Sequence, residues 1–331
     1  MRSSHHPRRR CRAFTLLELL SAIGIFCLMV VFLFMVVNNT ANITVSTTGR
    51  LDANRTAREC LDLIGRDLAL ARLPYGSSAT NTAIVQTTPT LQMVVNSADV
   101  GARFRQPHSI FWQAPLARNQ ANGNLAVVGY YLIRDLNTSE PRQSRLQLRR
   151  LYIEPETAAG SVKYLVYNSQ NTWFQDTLLE EFAPGTVDAD KTSGQKGWVA
   201  DGILAMWIRC LDPEGRPILT NANGDTRGYA FQSREGYSYV SPATDSKVLY
   251  PAGKPVAGVP KPALPAFIEI ALVCASPRDA ALIQSLPTPA AGNPAEFFDE
   301  VEDFTAEARS LNPRVKSIES YSRKFRLYPS L

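Results

Sequence analysis

One carboxylate stands where carboxylates are costly. Glu18 is followed by Leu19 to Val37, a run with no Asp, Glu, Lys, Arg or His, in which Ser21 is the only conventionally polar side chain. An ionised group at the margin of such a run is tolerated when it reaches water or meets an opposite charge, so Glu18 reads first as a pairing residue. Other reactive groups are sparse. His108 is the only histidine after His5 and His6, no Gly-x-Ser-x-Gly accompanies it, and Gln106-Pro107-His108-Ser109 reads as a loop. Cys11, Cys27, Cys60, Cys210 and Cys274 form no CxxC pair, which argues against a zinc knuckle or a thioredoxin-type site. Cys210 and Cys274 each close a candidate strand; a disulfide between them and two separate buried thiols are both open. Asn221-Ala222-Asn223-Gly224-Asp225 alternates oxygen donors, but Gln232 stands at the twelfth position where a calcium loop has Glu. An Asx-rich turn is the simpler account. Glu296, Asp299, Glu300, Glu302, Asp303 and Glu307 alternate with Phe297, Phe298, Val301 and Phe304 at helical spacing, which describes an amphipathic helix with a solvated acidic face. Trp173, Trp198 and Trp207 are spread out and read as core or rim. No glycine-rich phosphate loop is present. These residues lead us to expect no catalytic centre and no cofactor.

The elements around Glu18 are better defined than the chemistry elsewhere. Leu19 to Val37 is long enough to cross a bilayer, because roughly 20 residues at ~1.5 Å each span the hydrocarbon core. Before it stand Arg2, Arg8, Arg9, Arg10 and Arg12, with no acid among the first 13 residues. They account for the whole formal charge of +5, so the rest of the 331-residue chain is neutral and lacks the general basic character of a nucleic-acid binder. After the run, Arg50 is the first basic residue. This asymmetry predicts a single pass through the inner (cytoplasmic) membrane, the N-terminus cytoplasmic and the C-terminal part extracytoplasmic, with membrane lipid around the apolar run. A secretory signal cut after the run fits poorly, since the run exceeds the usual apolar region and Asn38-Asn39-Thr40-Ala41 is a poor small-x-small site. A twin-arginine signal at Arg9-Arg10 lacks the hydrophobic pair close behind. A signal cut before the run fits best.

Arg12-Ala13-Phe14-Thr15-Leu16-Leu17-Glu18-Leu19-Leu20 resembles the N-terminal methylation motif of type IV pilins and type II secretion pseudopilins. The resemblance implies that a prepilin peptidase cuts between Ala13 and Phe14 and methylates the new amino terminus on Phe14. It makes Glu18 the fifth mature residue, used in peptidase recognition and assembly with other pilins or pseudopilins. The family usually has Gly where Ala13 stands. Glu18 would supply the charge opposite the exposed amino group, on its own or a neighbouring subunit; a carboxylate snorkelling to the headgroups is the alternative. Residues Arg58 to Ala71 resemble the corresponding helix of the larger minor pseudopilins, the J-type in particular. The overall layout resembles the C-type member of the verrucomicrobial gene cassettes that encode large prepilin-type proteins. Some pseudopilins bind calcium, which is the context for Asn221, Asn223 and Asp225.

Beyond the apolar run the polar stretch Asn38 to Thr48 is expected to loosen the helix. Ala57, Leu61, Ile64, Leu68 and Ala71 then recur at spacings of 4, 3, 4 and 3, one stripe of an amphipathic helix, with Arg55, Arg58, Asp62, Arg66 and Asp67 on its other faces. Leu73-Pro74 and Gly76 should end it. From there the pattern is β-rich, with strands expected at Ala83–Gln86, Leu91–Val95, Ser109–Gln113, Leu125–Arg134, Arg145–Ile153, Lys163–Tyr167, Ile203–Cys210, Phe267–Cys274 and Lys316–Leu327. Helical pieces are expected at Thr172–Phe182, Arg278–Ser285 and Ala295–Ser310. The fold class is α+β: a long N-terminal transmembrane and amphipathic helix packed on a β-rich distal domain, with two sheets or a half-barrel. The divisions are a leader at 1–13, a transmembrane helix at 14–37, its amphipathic extension at 38–73 and an extracytoplasmic domain at 74–331.

The function expected is that of a non-enzymatic minor pilin or pseudopilin, assembled through its N-terminal helix near the tip of a type II secretion or type IV pilus-like filament. A membrane-anchored binding or adhesion module that never polymerises is the first rival, and an anchored envelope hydrolase the second.

Overall fold

The computed structural model describes residues 16–71, 93–98, 100, 104–116, 126–134, 146–153, 197–221, 225–241, 246–250, 263–283, 285–289 and 292–327. The chain divides into two compact units, Met1–Thr48 and Gly49–Leu331. A single helix, α1 (Leu16–Leu68), begins in the first and ends in the second. The loosening expected at Asn38 to Thr48 does not occur. Thr40 donates its hydroxyl to the carbonyl of Val36 at 2.8 Å and Thr44 to that of Thr40 at 2.9 Å. Each hydroxyl is satisfied by the carbonyl one turn earlier, and the helix runs unbroken through the stretch. It ends earlier than Leu73-Pro74 suggests: Leu70 and Ala71 donate to the carbonyls of Asp67 and Leu68, a tightened final turn.

The distal unit is built from antiparallel sheets. One has six strands: β1 (Met93–Val95), β2 (Ile110–Ala114), β3 (Ala126–Arg134), β4 (Leu146–Ile153), β5 (Trp198–Asp201) and, after β6 (Ile203–Leu211), β7 (Phe231–Gln232). Their spatial order is β5-β4-β3-β2-β1-β7. β8 (Tyr237–Ser241) and β9 (Ser246–Tyr250) form a hairpin. A three-stranded sheet contains β6, β10 (Phe267–Cys274) and β11 (Glu319–Arg326) in the order β11-β10-β6. The segment around cis Gln106-Pro107 runs beside β6: Met206 donates its N–H to Gln106 O at 2.9 Å, and His108 donates to Met206 O at 3.2 Å. Between β10 and β11 lies α2 (Phe297–Leu311), preceded by a 3₁₀ turn at Pro294–Glu296 that Asn293 caps through the Ala295 amide. Asn312 closes α2 by donating to Ala308 O and Ser285 O.

Five expected strands lie close to observed ones, and Phe267–Cys274 matches to the residue. Lys316–Leu327 is trimmed to Glu319–Arg326, because Arg50 and Arg309 take the carbonyls of Lys316 and Ile318. The helix expected at Arg278–Ser285 shrinks to one turn, Pro277–Ala280, capped by Ser276. Leu91–Val95 is described only from Met93. The expected strands Ala83–Gln86 and Lys163–Tyr167 and the helix Thr172–Phe182 lie outside the described residues.

Two of the cores among the described residues involve helices. In the first, the α1 stripe Ala57, Leu61, Ile64, Leu68 and Ala71 is buried as its periodicity predicts, joined by Ala53 and Cys60. It packs with Val128, Tyr130 and Leu132 of β3, Leu148 of β4 and Ile268, Ile270 and Leu272 of β10. Fully burying an aliphatic side chain contributes about 1.5–3 kcal/mol, so this stripe is a principal source of stability. Gly65 marks the closest approach: a Cβ there would lie 2.4 Å from Cε1 of Phe325 on β11. In the second core, Phe297, Val301, Phe304 and Ala308 of α2 cover Trp207 of β6 and Ala271 and Val273 of β10. The Trp207 and Phe304 rings meet edge to face at 5.0 Å. β6 and β10 are therefore apolar on both faces, which explains their continuous hydrophobic runs. The exception is Glu269. It accepts from Arg209 at 2.9 Å, while that guanidinium also donates to Pro294 O and lies over the rings of Phe297 and Phe298.

Asp67 departs from the surface position expected for it. Seven and fourteen residues after the buried Cys60 and Ala53, it falls on the buried side of α1 and is only 8% exposed. Tyr130 Oη donates to Asp67 Oδ2 at 2.6 Å, and Arg150 Nε donates to the same oxygen at 2.7 Å. Tyr130 and Arg150 are cross-strand partners of β3 and β4, so one carboxylate fastens the helix end to two strands. Burial and the adjacent carboxylate push the Tyr130 hydroxyl well above the usual phenol range, which keeps it a donor. Asp67→Ala leaves both donors unmatched and should cost about 3 kcal/mol, read as a lower denaturation midpoint with unchanged cooperativity.

Candidate functional site

The N-terminal part of α1 is the feature whose chemistry demands a partner. Apart from Glu18 and Ser21, Leu16 to Val37 is apolar around the whole helix, and large side chains along it are exposed: Leu16 79%, Phe26 66%, Phe34 72%. These 22 residues extend ~33 Å at ~1.5 Å per residue, enough for a bilayer core. None of its most apolar stretch is buried within the protein. An apolar surface of this extent is covered in its working state by lipid or by other protein.

Glu18 lies in the first turn of α1 and is exposed. A carboxylate in the first turn interacts favourably with the positive end of the helix dipole, so this is the position on an apolar helix that tolerates it best. The main-chain oxygen of Glu18 accepts from Ser21 Oγ at 3.0 Å, which satisfies the one polar side chain farther along the run. Ala13 and Phe14 lie outside the described residues.

The other sequence-selected groups are dispersed, and each has a structural role. Cys210 and Cys274 do not form the disulfide that was one of their two readings. Cys210 faces Ile268 and Cys274 faces Ile203, so they mark opposite ends of the β6–β10 pair. Six residues separate Ile268 from Cys274, about 20 Å along a strand, against the ~7 Å limit on Cα separation for a bridge. Both are buried free thiols, and burial raises their pKa values well above the ordinary range; Cys60 is pushed up to about 12. Such thiols are poor nucleophiles.

Asn221 and Asp225 face each other: the Asp225 amide donates to Asn221 Oδ1 at 2.9 Å, and Asn221 Nδ2 donates to Asp225 Oδ2 at 2.9 Å and Glu235 Oε2 at 3.1 Å. Arg227 brings its guanidinium to Glu235 at 2.9 Å. The described side chains thus pair with one another, with an arginine already opposite the outer carboxylate. Asn223 lies outside the described residues, among which no cluster of three His, Cys, Asp or Glu is placed to hold a metal. Along α2 the acids are not uniformly solvated. Glu300 accepts from Tyr229 Oη at 2.9 Å and from the Gly292 and Asn293 amides at 3.1 and 2.8 Å. Asp299, Glu302, Asp303 and Glu307 are exposed as expected.

His108 lies outside the strands, in the loop position expected for it, and is fully buried. Its Nδ1 accepts the Ile208 amide at 2.9 Å, and its ring lies 4.3 Å from that of Tyr229. It thus caps a backbone donor of β6. The sequence signal for this role was weak, since a lone histidine after a proline describes loops as well as bridges. Burial, reinforced by the charge of Arg105, lowers its pKa to about 3.

Residues 8–34 match a family model described as the prokaryotic N-terminal methylation motif. No curated protein matches the chain significantly. The match supports a prepilin-type N-terminus, of the kind that a prepilin peptidase processes, on a membrane-anchored protein. It covers Glu18 and most of the exposed apolar helix, joining the geometry to that class.

The buried imidazole yields a pH prediction. The unfolded chain takes up a proton near pH 6.5 and the folded chain near pH 3, so stability is full above about 6.5 and falls as pH drops toward 3. The contribution of His108 is up to about 1.4 kcal/mol per pH unit in that window. His108→Asn, whose side-chain oxygen can replace Nδ1 as acceptor, should flatten the difference in urea midpoint between pH 7 and pH 5.

Proposed function

We propose that this protein is a minor pilin or pseudopilin subunit of a type II secretion or type IV pilus-like filament, seated near the filament tip. The observation that carries the reading is a single carboxylate in the first turn of an exposed, uniformly apolar helix, within the stretch that matches the methylation motif. Prepilin peptidase removes residues 1–13 by cutting between Ala13 and Phe14 and methylates Phe14. The N-terminus then lies at the cytoplasmic face of the inner membrane, residues 14–37 span it, and residues 74–331 are extracytoplasmic. The arginines that fix this orientation leave with the leader.

Cleavage creates an amino group four residues before Glu18, about one helical turn. A cation and a carboxylate left separately in an apolar medium each carry a desolvation cost of several kcal/mol, so pairing within or between subunits draws helices into register. The exposed apolar surface exchanges lipid for neighbouring helices in the filament.

Mass spectrometry of the membrane-extracted protein should show an N-methylated Phe14 terminus; any other terminus overturns the processing assignment. In Glu18→Ala, incorporation into sheared or cross-linked filaments should fall at least tenfold while the protein remains in the membrane. Undiminished function without incorporation of the unaltered protein would instead favour an anchored binding module.

A further inference from the structure

We propose that the end of the distal unit where α1 enters it is a lipid-facing surface that binds anionic phospholipid headgroups. The inference rests on the membrane span proposed for α1 and not on filament assembly. α1 enters the unit at Gly49. From Val37, the last residue of the apolar run, to Gly49 is 12 residues, a rise of ~18 Å along the helix. The headgroup layer takes up roughly 6 Å of that distance. Measured along the helix, the elements gathered around Gly49 are therefore within about two Debye lengths of the lipid charges at physiological salt.

Two segments flank Gly49: residues 276–283, which hold the one-turn helix Pro277–Ala280, and residues 311–318, which join α2 to β11. A Cβ on Gly49 would lie 3.3 Å from Ser317 Cβ and 3.6 Å from Ser276 Oγ. Arg50 Nε donates to Lys316 O at 3.2 Å. The segments are also tied to each other. The Ser276 amide donates to Ser317 Oγ at 3.0 Å, and that hydroxyl donates to Asp279 Oδ2 at 2.5 Å. Asn312 Nδ2 donates to Ser285 O at 2.8 Å. The surface is thus built on backbone held in place around the entry of the helix.

Charge selects the occupant. The two segments carry Arg278, Arg314 and Lys316 against one acid, Asp279. Asp279 accepts from Ser317, and Glu319 just beyond is held by Arg50 at 3.5 Å and Arg309 at 3.0 Å. On α1, Asp52 lies near the charge of Arg55; Glu307 stands one turn before the end of α2. Arg278, Arg314 and Lys316 are exposed, and among the described residues no carboxylate pairs with any of them. Leu282 and Leu311, on the same two segments, are exposed as well. Free cations beside exposed leucines suit an anionic bilayer surface, where phosphates take the charge and the interface takes the apolar side chains. Each cation near such a surface strengthens binding by about fivefold. The anchor presents the lipid at high effective concentration, so three weak contacts suffice.

The test places the full chain, one copy per disc, in nanodiscs of phosphatidylcholine or of an equal mixture with phosphatidylglycerol. Amide hydrogen exchange in residues 276–283 and 311–318 should be at least about fivefold slower in the anionic discs. The difference should vanish near 1 M salt, where the Debye length falls to about 3 Å. It should also vanish when Arg278→Gln, Arg314→Gln and Lys316→Gln are combined, with the denaturation midpoint in detergent unchanged. Equal exchange in the two kinds of disc overturns the inference, as does protection that survives high salt or the triple substitution. Protection that is the same in both lipids and grows with copies per disc assigns the face to a neighbouring protein and overturns it as well. A chain that does not insert defeats the membrane span and this inference with it. A chain that inserts without any lipid dependence defeats this inference alone.

Discussion

The distal unit depends on the seam where the C-terminal third of α1 is buried against both sheets. Ala53, Ala57, Cys60, Leu61, Ile64 and Leu68 supply its apolar part, and Asp67 supplies its orientation. Apolar contact is non-directional and would tolerate a helix rotated or slid by part of a turn. One carboxylate oxygen accepting from Tyr130 and Arg150, which face each other across β3 and β4, tolerates neither. The Gly65–Phe325 contact adds a second point of register on the other sheet, where a larger side chain would meet the Phe325 ring.

The same helix meets two solvents. From Gly49 onward it is amphipathic and satisfies its apolar side within its own unit; from Leu16 to Val37 it is, apart from Glu18 and Ser21, apolar all round and satisfies nothing there. That contrast, on one continuous backbone, separates the part of α1 that makes the protein fold from the part that requires lipid or neighbouring subunits. Glu18 fits the second part because a first-turn carboxylate is favoured by the helix dipole even where its surroundings are apolar.

Polar groups inside the distal unit are used for construction. His108 caps a β6 amide, Arg209 and Glu269 neutralise each other beneath the start of α2, and Glu300 gathers the segment ahead of that helix. Each is a hydrogen-bonding group whose burial is repaid by a specific partner. Among the described residues, their pairing uses these side chains within the fold, and the exposed apolar helix stands out as a surface with an unmet physical demand.

The sequence by itself determined the membrane-length run with its single acid, the buried stripe of α1, and the strands β3, β4, β6, β10 and most of α2. These follow from composition and period, which are local properties. β5 and β7 escaped it because four and two residues are too few to show alternation, and their pairing is decided by distant strands. Tertiary structure alone decided that Asp67 is inside, that Cys210 and Cys274 lie a strand-length apart and that His108 is a buried acceptor. All three depend on which elements become neighbours. A charged residue on a helix, a cysteine at a strand end and a histidine in a turn are each compatible with several neighbours, and only the packing of α1 and α2 on the two sheets selects among them.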